Sequence, residues 1–193
     1  NLAGGTHHAC RDHGEGFCVF NDAAIAVRAM QADGLITRAV VLDCDVHQGN
    51  GTAQITQDDS TIFTFSIHGE HNFPFRKVAS DLDIGLPDGT GDDAYLETLG
   101  EGVRRALAMA NADLAIYIAG ADPYVGDRLG KLSLSKDGLA RRDNLVLDLC
   151  MHHDLPVAVV MGGGYARDVE EIVDIHVNTI RIAAERVGQW TAL

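Results

Sequence analysis

Asp43, Asp45 and His47 occupy alternate positions of the run Asp-Cys-Asp-Val-His. In an extended segment such positions point the same way. Two carboxylates and an imidazole on one side form a donor set that zinc, iron or manganese accepts. The same run also fits a strand end with solvated acids and a satisfied histidine. Gly49-Asn50-Gly51 follows directly and lets backbone approach a ligand closely. Asp122, in Gly-Ala-Asp-Pro, is by itself more often a cap or turn residue than a ligand. Joined to Asp45 and His47 it would complete an Asp/His/Asp site with a position left for water or substrate.

Further groups suit chemistry beside a metal. His7 and His8 are adjacent. They read as a surface pair, or as general base and acid, because imidazole titrates near neutral pH. Each would need a partner to set its tautomer, and Asp43 and Asn50 are available. Gly162-Gly163-Gly164-Tyr165 follows an apolar run. No Lys or Ser/Thr follows in the manner of a phosphate loop. The glycines therefore read as a turn presenting the Tyr165 phenol, which could donate to a developing oxyanion or pack in the core. Gly16-Phe17-Cys18 and Asn72-Phe73-Pro74 place large apolar side chains in loops, where they pack beneath the loop or wall a narrow slot.

These residues need elements to carry them. Helices are expected over 21–32, 51–57, 92–110, 135–152 and 168–187, from 3.6-residue periodicity, caps and Gly stops. Strands are expected over 39–43, 61–67, 80–86, 114–119 and 157–161, with 68–80 as loop. Strands that are apolar throughout, each followed by a helix, indicate a parallel α/β sheet with helices on both faces. The reactive residues then follow the strands, at the carboxyl edge where open α/β sheets bind ligands.

Composition narrows the function further. The 193 residues carry a formal net charge of −13, with 46% hydrophobic and 22% charged residues. That mixture excludes a disordered tail, and the length suits one domain. An acidic balance argues against direct nucleic-acid binding and suits a cationic partner such as lysine side chains or polyamines. The four cysteines form no CxxC pair, so a reducing, cytoplasmic setting is the default. No apolar run approaches a membrane span. The chain begins at Asn1 and reaches His7 almost at once, so upstream sequence is expected. Composition and motifs leave the oligomeric state open.

GGTHHA, GEGFCVFND, DCDVHQGNGT, the GAD of GADPYVGDRLG and GGGY occur in this order across nearly the whole chain. Together they resemble the zinc-dependent histone deacetylase family, of the arginase/deacetylase superfamily. GNGT and GADPYVGDRLGKLSLS are most similar to its class IV and related bacterial branch. The resemblance implies a three-layer α/β fold and a metal-dependent deacetylase. The substrate would be N-acyl-lysine in a protein, or a related acetylated amine.

It also implies roles. Asp45, His47 and Asp122 would hold Zn2+, with Fe2+ as a possible substitute. His8 would be the proton shuttle, with Asn50 behind it, and His7 would be backed by Asp43. Tyr165 would polarise the carbonyl. Phe17 and Phe73 would flank an acyl-lysine tunnel, with Gly16 at its wall and Gly164 among the substrate-contacting residues. Asp43 with Ser66 would match a structural K+ or Na+ site. Asn50, where some classes carry Asp, would give His8 a neutral partner and a lower pKa. Family members carry a substantial segment before the paired histidines. Residues 1–193 would therefore be the C-terminal two thirds of the catalytic domain, truncated at the N-terminus. A sheet edge would be exposed without the preceding strands, and an acidic rim residue on that segment has no counterpart here. Outside this family, the motifs also allow a ureohydrolase-like dinuclear enzyme or a non-catalytic scaffold.

Overall fold

The computed structural model describes residues 4–190. The elements follow in the order α1 (Asp22–Ala32), β1 (Ala39–Asp43), α2 (Asn50–Thr56), β2 (Ile62–Gly69), β3 (Leu82–Leu86), α3 (Asp92–Ala110), β4 (Leu114–Ile118), α4 (Lys136–His152), β5 (Val157–Val160) and α5 (Val169–Trp190). All five strands are parallel, in the order β3-β2-β1-β4-β5.

The apolar runs explain the layering. Every residue of β1 and β4 is buried. Val40 and Leu42 join the larger core with Leu99 and Val103 of α3 and Leu139 and Val146 of α4. Ala39 and Val41 point the other way, against Ala23 and Val27 of α1. Alternation along the strand thus sends neighbours into two apolar layers, and the sheet is covered on both faces, as the sequence implied. Local chemistry sets the helix starts. The Asn21 side chain accepts from Ala24 N at 3.0 Å, and Ser135 Oγ accepts from Gly138 N at 2.9 Å, satisfying amides the first turn leaves free.

One difference from the sequence reading matters. β2 runs on through His68 to Gly69, because Gly69 pairs with Leu86 of β3. As expected from the sequence, residues 70–81 join β2 and β3 as a loop with no helix between them. Side chains satisfy that loop's backbone instead. Gln48 clasps Val78, with its Nε2 donating to Val78 O at 2.8 Å and its Oε1 accepting from Val78 N at 3.0 Å. Lys77 Nζ donates to Asn72 O at 2.6 Å. Polar side chains thus replace the hydrogen bonds a crossover helix would make. Among the described residues no helix is long and apolar enough to cross a membrane.

Candidate metal centre and catalytic pocket

Parallel pairing aligns the carboxyl ends of the strands: Asp43 is level with Ser66 of β2 and Ile118 of β4. Beyond Asp43 the chain leaves the sheet, so strict alternation through His47 does not hold. Each carboxylate instead folds back onto an amide two residues on. Asp45 N donates to Asp43 Oδ1 at 3.1 Å, and His47 N donates to Asp45 Oδ1 at 2.9 Å. These local bonds outcompete an extended backbone. Asp43 consequently serves His7, while Asp45 and His47 turn toward Asp122.

Asp45, His47 and Asp122 are buried, with ligand atoms within 4.8 Å of one another. His47 Nδ1 lies 3.0 Å from both Asp45 Oδ1 and Asp122 Oδ2. Backbone amides fix the carboxylates: Gly163 N donates to Asp45 Oδ2 at 2.7 Å, and Val46 N to Asp122 Oδ1 at 2.9 Å. Burial alone would lower the His47 pKa, but the two carboxylates raise it to about 10. Burial, then the Asp45 charge, raises Asp122 to about 7. Two buried carboxylates hold a proton on the imidazole because the cluster needs a positive charge. The donor set therefore fits a divalent cation, and the three residues form a possible metal-binding triad. The other donor group among the described residues, Cys10, His13 and Glu15, shares no residue with the triad.

The paired histidines lie beside the triad. His7 O accepts from Thr52 N at 3.0 Å, tying the segment to α2. His7 Nδ1 is 2.6 Å from Asp43 Oδ2, and His8 Nδ1 is 2.6 Å from Asn50 Oδ1. Burial works against a charge on both rings. For His7, Asp43 and Asp45 overcome it and raise the pKa to about 9. For His8, burial and then the charge on neighbouring His7 outweigh the Asn50 hydrogen bond, and the pKa falls to about 3. Gly16 and Gly49 permit this packing: a Cβ at Gly16 would strike the His8 ring, and one at Gly49 would strike the Asp43 carboxylate.

Above the triad is a cavity of about 430 Å³, lined by His8, Gly16, Phe17, Phe73 and Tyr165 among others. The His8 and Phe73 rings meet edge-on with centroids 5.0 Å apart, and Phe17 and Tyr165 are 6.1 Å apart. Tyr165 also meets His47 edge-on at 6.1 Å. Burial, then Asp45 and Asp122, raises the Tyr165 pKa, so the phenol keeps its proton. Gly164 is not among the cavity-lining residues. A side chain there would meet Ile172 and Ala121, so the glycine serves packing against α5. Asp43 and Ser66 are register neighbours, yet Asp43 is engaged by His7 and the Asp45 amide, and Ser66 Oγ lies 3.0 Å from His68 Nδ1.

Several contributors escape a motif reading. Asp127 Oδ2 accepts from Tyr165 N at 2.6 Å, and Arg128 Nε donates to Tyr165 O at 2.8 Å. Buried Arg142 of α4 donates to the carbonyls of Cys44 and Gly120, joining the chain just before two triad residues. Glu15 accepts from Asn50 Nδ2 at 2.6 Å. Only the acidic and basic residue types were visible in the sequence, because the bonds span distant segments.

A profile of the histone deacetylase domain matches residues 1–180. An uncharacterized protein of Picosynechococcus sp. is 53% identical over 176 residues, covering 91% of this chain and 59% of that protein. Histone deacetylase 2 of Arabidopsis thaliana is 31% identical, over 90% of this chain and 46% of its own length. The crystal structure of an acetylpolyamine aminohydrolase from Burkholderia pseudomallei superposes with a TM-score of 0.75 at 28% identity, covering 90% of this chain and 52% of that one. The chain thus spans less than two thirds of each of these proteins.

Proposed function

The chain belongs to the histone deacetylase family, and on that premise we propose that it hydrolyses N-acyl-lysine amides or related acetylated amines, with zinc held by Asp45, His47 and Asp122. The observation that carries this reading is the buried Asp/His/Asp triad placed beside His8 and Tyr165 at an apolar cavity. When bound, zinc would supply Lewis-acid polarisation of the amide carbonyl and acidify a water.

The chain's own residues supply the remaining steps. Phe17 and Phe73 hold the aliphatic stem of the acylated side chain between their rings. His8 uses Nε2, because Nδ1 is taken by Asn50. A neutral His8 accepts a proton from the attacking water and passes it to the leaving amine nitrogen as the C–N bond breaks. The Tyr165 phenol, still protonated, donates to the oxygen that becomes negative. His7, charged through Asp43, adds positive potential next to that oxygen. An acidic chain, with net charge −13, suits cationic substrates.

The test is amine release by the zinc-supplied chain, from acetyl-lysine peptides and from acetylated polyamines. Release of either supports the reading and names the better substrate class. Absence of release from a chain carrying its zinc would sink it.

A further inference from the structure

Asn50 uses both ends of its amide. Oδ1 lies 2.6 Å from His8 Nδ1, and Nδ2 donates to Glu15 Oε2 at 2.6 Å. An amide has one accepting and one donating end, whereas a carboxylate only accepts. The two contacts are therefore linked. While Glu15 takes the Nδ2 hydrogen, Oδ1 must face His8, and His8 Nδ1 must carry the proton. Nε2 then keeps a free lone pair, on a side chain that lines the cavity. With the amide turned over, Nδ2 would face His8 Nδ1 and the ring proton would move to Nε2. Oδ1 would then oppose the Glu15 carboxylate, acceptor against acceptor.

The backbone holds Glu15 in place. Glu15 N donates to Cys18 O at 3.1 Å, and Cys18 N to Glu15 O at 2.8 Å. Gly16 and Phe17 between them have φ of 51° and 65°, the left-handed pair of a type I′ turn. That turn presents Phe17, 86% exposed, at the cavity mouth, while the Glu15 side chain reaches inward to Asn50. One tight turn thus places a rim aromatic and a buttress for the His8 partner.

We propose that Glu15 is a positioning residue: through Asn50 it selects the His8 tautomer whose Nε2 is free to accept a proton. The inference rests on His8 being the proton shuttle.

The test compares wild type, Glu15→Ala and Glu15→Gln, each supplied with zinc. The His8 ring tautomer is read by 15N NMR, beside kcat and KM on an acetyl-lysine peptide. Wild type should show a protonated Nδ1. In Glu15→Ala either orientation leaves one end of the Asn50 amide unpaired, so the selection is lost and protonated Nε2 should appear beside protonated Nδ1. The kcat should fall several-fold while KM stays within about twofold. Glu15→Gln can either accept from Nδ2 or donate to Oδ1, so it should give a tautomer mixture rather than the wild-type state. In an Asn50→Asp background no amide can turn over, so adding Glu15→Ala should lower kcat no further. An unchanged tautomer in Glu15→Ala, or an equal loss of kcat in the Asn50→Asp background, would overturn the proposal. If wild type releases no amine, the deacetylase reading fails, while the tautomer comparison still decides the role of Glu15.

Discussion

His7 and His8 stack with ring centroids 4.1 Å apart and a tilt of 48°, yet their surroundings hold them in different charge states. Asp43 and Asp45 raise His7 to about 9 against burial; burial and then the His7 charge lower His8 to about 3, and the Asn50 amide offsets this only in part. In the proposed reaction the pair would divide labour, with His7 supplying charge and His8 a free lone pair at neutral pH. A cation bound to Asp45 would cancel one of the charges that raise His7, and so lower it.

Replacing Asn50 with Asp should undo that division. A carboxylate beside His8 Nδ1 favours the imidazolium. We expect the His8 pKa to rise in Asn50→Asp. Titration of the His8 ring by NMR, against wild type, checks this; equal midpoints would contradict it.

Tyr165→Phe should lower kcat by about 100-fold or more without changing metal content, since the phenol is not among the clustered donor atoms. Steady-state rates with metal analysis on the same preparation test it. A wild-type rate would end the assigned role of the phenol.

Asp122→Ala should abolish stoichiometric zinc binding. Wild type should retain about one zinc per chain after desalting. Elemental analysis of both proteins decides the matter. Zinc retained equally by the variant would exclude Asp122 as a ligand.

Gly16→Ala should lose roughly 1–3 kcal/mol of stability, because φ at Gly16 is 51° and the new Cβ meets the His8 ring. Thermal melts of the two proteins provide the comparison, and an unchanged Tm would contradict the close packing.

Acid should destabilise the fold partly through His68. Burial, with the Lys77 charge, lowers its pKa from 6.5 to about 4. The unfolded chain binds that proton first, so stability present above pH 6.5 is lost as pH falls toward 4. In His68→Gln the drop in urea midpoint between about pH 7.5 and about pH 4.5 should be smaller than in wild type. Equal drops would show that His68 is not a source of acid sensitivity.

The sequence by itself determined the layers and the inventory of reactive groups. Ala39–Asp43 and Leu114–Ile118 are apolar throughout because both faces of the sheet are covered, and such runs identify buried parallel strands without coordinates. Motif order singled out Asp45, His47 and Asp122, the paired histidines and Tyr165 as candidates, because those residues lie in short, distinctive segments. Tertiary structure alone decided which groups face each other. Asp43 leaves the metal side because its carboxylate closes on the Asp45 amide and His7. Gly164 turns to α5 rather than to the cavity. Glu15 meets Asn50 across 35 residues of chain, and Asp127 holds Tyr165 across 38. Local periodicity carries no information on such pairs. They exist because parallel strands bring separate loops to one edge, where each buried polar group must find a partner.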